Sequence, residues 1–171
     1  MRKATSLFLA IFFLLGCIAG CGQKKNTTTN NPPVVRDIAV LTLDGEMSGL
    51  TADQTRELGN TVAWMDRDLI KNLNKAGFRA VLIKNMHEYK ADMGKLLIAE
   101  VERFNAGNRA ARALVGFGAG AASLDLRYKL LDEKGGTLAE WRDGVGSSKG
   151  ATYCAETLNR KAVDKITSTL Q

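Results

Sequence analysis

Four kinds of side chain in this 171-residue sequence could carry chemistry: one histidine, three cysteines, several carboxylates and a few serines. His87 stands among Met86, Glu88 and Tyr89, with neither a cysteine nor a carboxylate pair to complete a metal site, so it reads as a surface or boundary residue. Cys154 with His87 as base would make a nucleophile. However, Cys154 shares a helical face with Leu158, where small buried thiols are common. Asp66 and Asp68 leave their helix in different directions and form no acid/base pair. Ser123, Ser147 and Ser148 lack a Gly-x-Ser-x-Gly setting. Trp64 and Trp141 each fall near an apolar period and read as core or boundary residues. The expectation is a protein that is not an enzyme and has no cofactor and no metal.

The strongest chemical signal is a cysteine of another kind. Met1-Arg2-Lys3 is a short cationic start, and Leu7 to Leu15 follows as an unbroken apolar run, the n-region and h-region of a secretory signal. A bilayer span needs roughly 20 apolar residues, and this run is interrupted by Gly16, Cys17 and Gly20. It closes on Ile18-Ala19-Gly20-Cys21, which resembles the bacterial lipobox, whose cysteine is acylated on sulfur and becomes the mature N-terminus. The earlier Leu14-Leu15-Gly16-Cys17 has a bulky Leu15 where a small residue is usual. The expected organisation is therefore a signal peptide over residues 1–20, palmitate-type lipid on Cys21, and a lipid-anchored protein of the cell envelope facing the periplasm. Gly22 in place of Asp favours the outer over the inner membrane, by resemblance to enterobacterial sorting.

Residues 21–33 hold no apolar side chain large enough to seed a core beyond the cysteine itself, and read as a flexible tether that would let a domain stand off by roughly 20 Å. Val34 to Gln171 is the size of one domain. Loss of Arg2 and Lys3 with the signal lowers the formal charge from +6 to +4. No run of Lys or Arg marks a nucleic-acid site, and export argues against one. Cys154 is left as the one free thiol of the mature chain, so no intramolecular disulfide is available.

The elements of that domain are legible from period. Ile38 to Leu43 is a short apolar, β-branched run closed by Asp44-Gly45, a buried strand. Thr51 with Gln54 has the form of a capping box, and Leu58, Val62, Met65, Leu69 and Leu73 then repeat at helical spacing until Gly77. Phe78 to Ile83 is a second strand. Lys84 to Gly94 has no clear period and reads as a crossing. Leu96 to Phe104 is a third strand, with Leu97, Ala99 and Val101 on one face. Ser123 to Leu130 alternates strictly, and Asp132 to Gly136 turns it into a hairpin with Thr137 to Val145. Ala155, Leu158, Ala162, Ile166 and Leu170 carry a second helix. Strands bracketed by helices predict an α+β fold: a mixed or mostly antiparallel sheet of about five strands, with two helices packed on one face.

Between the third and fourth strands lies Asn105 to Ala122, with Gly116, Gly118 and Gly120 at alternate positions. A phosphate loop would need a helix or Gly-Lys-Ser/Thr directly after those glycines, whereas an alternating strand follows. Two readings stay open: close backbone approach at a sheet edge or bend, or an exposed small-residue surface for self-association or membrane contact. Arg109 and Arg112 would flank such a surface, or be simply solvated. Gly107-Asn108-Arg109-Ala110, Arg112 and Val115-Gly116-Phe117-Gly118-Ala119-Gly120 resemble the signature of a bacterial lipoprotein family catalogued as the domain of unknown function 4410. The likeness extends more loosely from about Val35 to the C-terminal helix. It implies an envelope lipoprotein with an α+β domain, and no reaction.

The functional expectation is a non-catalytic binding or assembly module acting through Gly107 to Gly120, with Asn108, Arg109, Arg112, Gly116, Phe117, Gly118 and Gly120 as contact residues for an envelope protein partner or a second copy. The alternative is a ligand-binding accessory lipoprotein of an envelope lipid or polysaccharide transport system. Each acyl methylene buried in a membrane contributes about 0.8 kcal/mol, so the anchor has a sharp test. Cys21→Ala is expected to move the protein to the soluble fraction and abolish acyl labelling; a variant still membrane-bound and labelled would overturn the lipidation site.

Overall fold

The computed structural model describes residues 36–45, 47–107 and 120–171. Cys21, the signal over 1–20 and the tether over 21–33 lie outside the described residues. The elements are β1 (Arg36–Leu43), α1 (Ala52–Lys75), β2 (Phe78–Ile83), β3 (Lys95–Asn105), β4 (Ala122–Leu131), β5 (Thr137–Ser147) and α2 (Ala151–Thr169). Two single-turn 3-10 helices, Met86–Glu88 and Ala91–Met93, link β2 to β3.

The strands form one sheet in the order β2-β1-β3-β4-β5. β1 is parallel to both of its neighbours, and the β3-β4 and β4-β5 pairs are antiparallel. The sheet is therefore mixed, as expected. Parallel pairing of β1 with β2 requires a crossover, which α1 supplies. β4 and β5 are joined by the short turn at Asp132, whose Oδ1 accepts the Lys134 and Gly136 N–H groups.

α1 begins as its sequence predicts. Gln54 N–H donates to Thr51 Oγ1 at 3.3 Å, and Thr51 N–H donates to Gln54 Oε1 at 2.8 Å, so two donors of the first turn are satisfied reciprocally. The helix stops at Ala76, followed by Gly77 at φ 90°, a conformation glycine adopts without Cβ strain. Leu58, Met65, Leu69 and Leu73 are buried along one stripe, and α2 buries Cys154, Ala155, Leu158, Ala162 and Ile166. Both stripes join one core with Ile38, Val40, Leu97, Ala99, Val101, Leu124, Leu126, Tyr128 and Leu130, which places both helices on one face of the sheet. α1 and α2 are also tied by Asn159, fully buried, whose Nδ2 donates to Met65 O at 2.9 Å and to Asp68 Oδ2 at 3.0 Å.

Two features depart from simple strand alternation. The pairing of β3 with β4 shifts between Val101 and Arg103. That bulge turns the strand by one residue, so that Phe104, out of step with Leu97, Ala99 and Val101, is still buried in the same core. The second is Lys84 to Gly94, which does more than cross between strands. It lays Tyr89 and Met93 over a second apolar cluster of Ala39, Leu41, Ile83 and Leu96 on the face away from the helices. Within this flap Tyr89 Oη donates to Gly94 O at 2.7 Å.

A tie between α1 and β1 carries a titratable group. Thr42 Oγ1 donates to Asp66 Oδ1 at 2.6 Å. Burial pushes the Asp66 carboxyl above its ordinary 3.8, an effect that the Thr42 hydrogen bond offsets only in part. Such a group favours the fold when protonated, and the contribution is lost as pH rises through its folded pKa. Asp66→Asn keeps an acceptor for Thr42 without the charge. It is expected to melt above the native protein at neutral pH, the difference closing on acidification; a native protein that melts higher at neutral pH would contradict this. Leu69 has no exposure, and Leu69→Ala is expected to cost about 2–5 kcal/mol by urea denaturation.

Candidate functional site

β3 leaves the sheet and β4 enters it side by side, with Asn105 paired directly to Ser123. Residues 106–121 thus link two strand ends that are already neighbours. Asn108, Arg109, Arg112, Gly116, Phe117 and Gly118 lie outside the described residues; Gly107 and Gly120, which bracket them, are described. Gly107 has φ +75° and Gly120 φ +67°, so the backbone enters and leaves this stretch in the left-handed region that glycine tolerates. The Gly107 N–H donates to Asn105 Oδ1 at 2.9 Å.

This end of the sheet adjoins the start of α1. Ala106 and Gly107 line a shallow hollow of about 370 Å³ with Asp53, Gln54, Arg56 and Glu57. Arg56 and Asp53 pair at 2.7 Å with both side chains largely exposed, an interaction worth little against solvent screening.

The residues with catalytic potential are not brought together. His87 sits exposed in the first 3-10 turn, its backbone N–H on Asn85 Oδ1 at 3.0 Å. Cys154 is buried in α2, its Sγ 3.7 Å from Ala122 O on β4, and burial pushes its thiol pKa up, away from a reactive thiolate. Cys154 packs with the helices on one face of the sheet, whereas His87 belongs to the segment that packs on the other. Asp66 serves Thr42, while Asp68 accepts from Asn72 and Asn159. Ser147 Oγ accepts the Lys149 N–H just before α2. Trp64 and Trp141 are half-buried against the main core, Trp141 stacked on Tyr128 with ring centroids 4.9 Å apart. Among the described residues no group of three or more His, Cys, Asp or Glu could hold a metal ion, and no helix is long and apolar enough to cross a membrane.

One surface is absent from the sequence expectations. On the face away from the helices, β3, β4 and β5 carry a lattice of crossed ion pairs: Arg103 with Asp125 at 2.6 Å, Arg127 with Glu140 at 2.6 Å, and Arg142 with Glu102 at 2.7 Å. Lys95 pairs with Glu133 at its margin. The Arg127 guanidinium holds the Glu140 carboxyl below the usual range, and Lys95 does the same for Glu133. Gly144 makes room for this packing, since a Cβ there would stand 2.2 Å from Asp125 Oδ1. The trace in the sequence is the charged residues of the amphipathic strands, Glu102 and Arg103 on β3, Asp125, Arg127 and Lys129 on β4, and Glu140 and Arg142 on β5. Which charge meets which depends on strand neighbours.

No curated protein sequence matches the chain. Among solved structures, a point variant of the PelC dodecamer from Paraburkholderia phytofirmans is similar at a TM-score of 0.51 and 13% identity, covering 80% of this chain and 90% of that one. A neuraminyllactose-binding hemagglutinin homolog from Helicobacter pylori gives 0.41 at 9% identity, over 82% and 85% of the two chains. Uncharacterized lipoprotein B from Nitrosomonas europaea gives 0.27 at 15% identity, over 78% and 81%. Only the first is close enough to support a shared fold. Residues 27–150 match the family described as a domain of unknown function, DUF4410, and the chain belongs to that family.

Proposed function

We propose that this chain is a lipid-anchored, non-catalytic envelope protein that assembles with copies of itself through the surface bearing Gly107 to Gly120. The observation that carries this reading is the β3–β4 connection. Antiparallel neighbours whose ends already pair, as Asn105 and Ser123 do, need two to five linking residues, and long connections in compact domains are usually functional. Residues 106–121 greatly exceed that need, and their small side chains would let another surface approach closely. Its first residues, Ala106 and Gly107, adjoin the first turns of α1, so the segment springs from a rigid base.

The fold likeness to PelC, which forms a dodecamer, supports self-association over a dissimilar partner. The Ile18-Ala19-Gly20-Cys21 sequence supports the anchor and the envelope location. With a polar tether after it, the lipid would set where the domain works without shaping its fold.

Crosslinking in intact membranes tests the assembly. Native protein is expected to yield a ladder of multimers, and Gly118→Asp, which places a charge in the small-residue surface, to reduce it at least tenfold. Arg109→Ala with Arg112→Ala, which removes contacts without placing a charge in the small-residue surface, should weaken the ladder less than Gly118→Asp does. Loss of copurifying lipid or glycan on the arginine substitutions, with no multimers in the native protein, would instead establish the ligand-binding alternative.

A further inference from the structure

The two edges of the sheet are treated differently. β2 has six residues, the N–H of its Ala80 is taken by Asn74 Oδ1 at 3.0 Å, and its surroundings are basic, with Lys75, Arg79 and Lys84 close in sequence. All three features discourage pairing with another strand. β5 has eleven residues, all exposed or half-exposed, and is the last strand of the sheet among the described residues. The Gly144 N–H donates to its neighbour Asp143 Oδ1, which places the backbone groups of the even-numbered residues on the outward side; that one donor is occupied, while Glu140 and Arg142 lie further along the same edge.

We propose that β5 is a self-pairing edge that joins two copies of this chain antiparallel about Trp141; the proposal rests on the reading that copies of the chain meet, and names a surface by which they do. In that register Glu140 of each copy lies opposite Arg142 of the other, and Trp141 lies opposite Trp141. Glu140 and Arg142 have outward backbone groups, so each such pair exchanges two N–H···O bonds, while the tryptophans form the closer, non-hydrogen-bonded pair at about 4.5 Å between Cα atoms.

Side chains agree with this register. Glu140 uses only Oε1 toward Arg127, and Arg142 uses only Nε toward Glu102, which leaves Glu140 Oε2 and the Arg142 terminal nitrogens for the second copy. Directly opposed unlike charges stabilise an antiparallel pair, and like charges destabilise it. Tyr128 and Trp141 already stack across β4 and β5 with planes 15° apart, and a second Trp141 would continue that stack over the two-fold axis. An isologous contact of this kind closes a dimer on its own. Larger assemblies need a second surface, which the Gly107 to Gly120 region would provide.

Full-length lipidated protein carrying two different affinity tags, co-expressed and extracted in mild detergent, tests this. Glu140→Lys in both copies, or Arg142→Glu in both, places like charges opposite each other and is expected to lower recovery of the second tag at least tenfold. Co-expressing one copy with Glu140→Lys and one with Arg142→Glu restores both opposed pairs, and recovery should return to within twofold of native. That rescue cannot arise from the intramolecular partners Arg127 and Glu102, which stay unchanged. Undiminished recovery with the single reversals, or no rescue in the mixed pair, overturns the β5 edge while leaving self-association intact. Native copies that fail to copurify overturn both.

Discussion

Ile38, Ala39, Val40 and Leu41 are consecutive residues of β1, and none has any exposure. Alternate residues of a strand face opposite sides of its sheet, so such a run can be dry only where both faces are covered and both edges are paired. β2 and β3 supply the edges through parallel ladders. α1 and α2 cover Ile38 and Val40, and the Lys84 to Gly94 flap helps cover Ala39 and Leu41. The crossover helix, the placement of the flap and the parallel half of the sheet all answer to this one buried strand.

Away from β1 the demand relaxes. Among the described residues, β4 and β5 are covered mainly on one face, and their other face is largely solvated, as antiparallel sheets permit. There the charged residues arrange themselves as crossed ion pairs across three strands. Pairs this exposed contribute little to stability individually. Their consequence is positional: leaning Glu140 and Arg142 inward keeps part of each side chain occupied and leaves the remainder at the sheet's open edge. Among the described residues the sheet thus has one edge that is short and basic, and one that is long and carries a self-complementary charge pattern.

The bulge in β3 links these halves. By advancing the strand one residue it returns Phe104 to the main core and sets Arg103 against Asp125 on the opposite face. It also lies where Gly45 approaches the backbone, since a Cβ at Gly45 would stand 2.0 Å from Val101 O. The connection from β3 to β4 starts just beyond it, beside the first turns of α1. A segment proposed to meet other copies is thereby based on elements that the core holds fixed.

The sequence by itself determined the elements. The spacing of Leu58, Met65, Leu69 and Leu73, the Thr51–Gln54 cap, the alternation of Leu124, Leu126, Tyr128 and Leu130, and the turn at Asp132 to Gly136 are local patterns, legible because helical and strand periods are imposed within a few residues. The family signature between Gly107 and Gly120 was equally legible as residues in order. Only the tertiary structure decided that β1 sits between β2 and β3, that Lys84 to Gly94 folds over the second face, and that Arg127 meets Glu140 and Arg142 meets Glu102. Periodicity states which face a side chain takes but not which strand lies beside it, and neighbour identity is set by burial of the whole sheet. The self-complementarity of β5 belongs to the same class, because Glu140-Trp141-Arg142 means nothing as an edge until the fold leaves it at one.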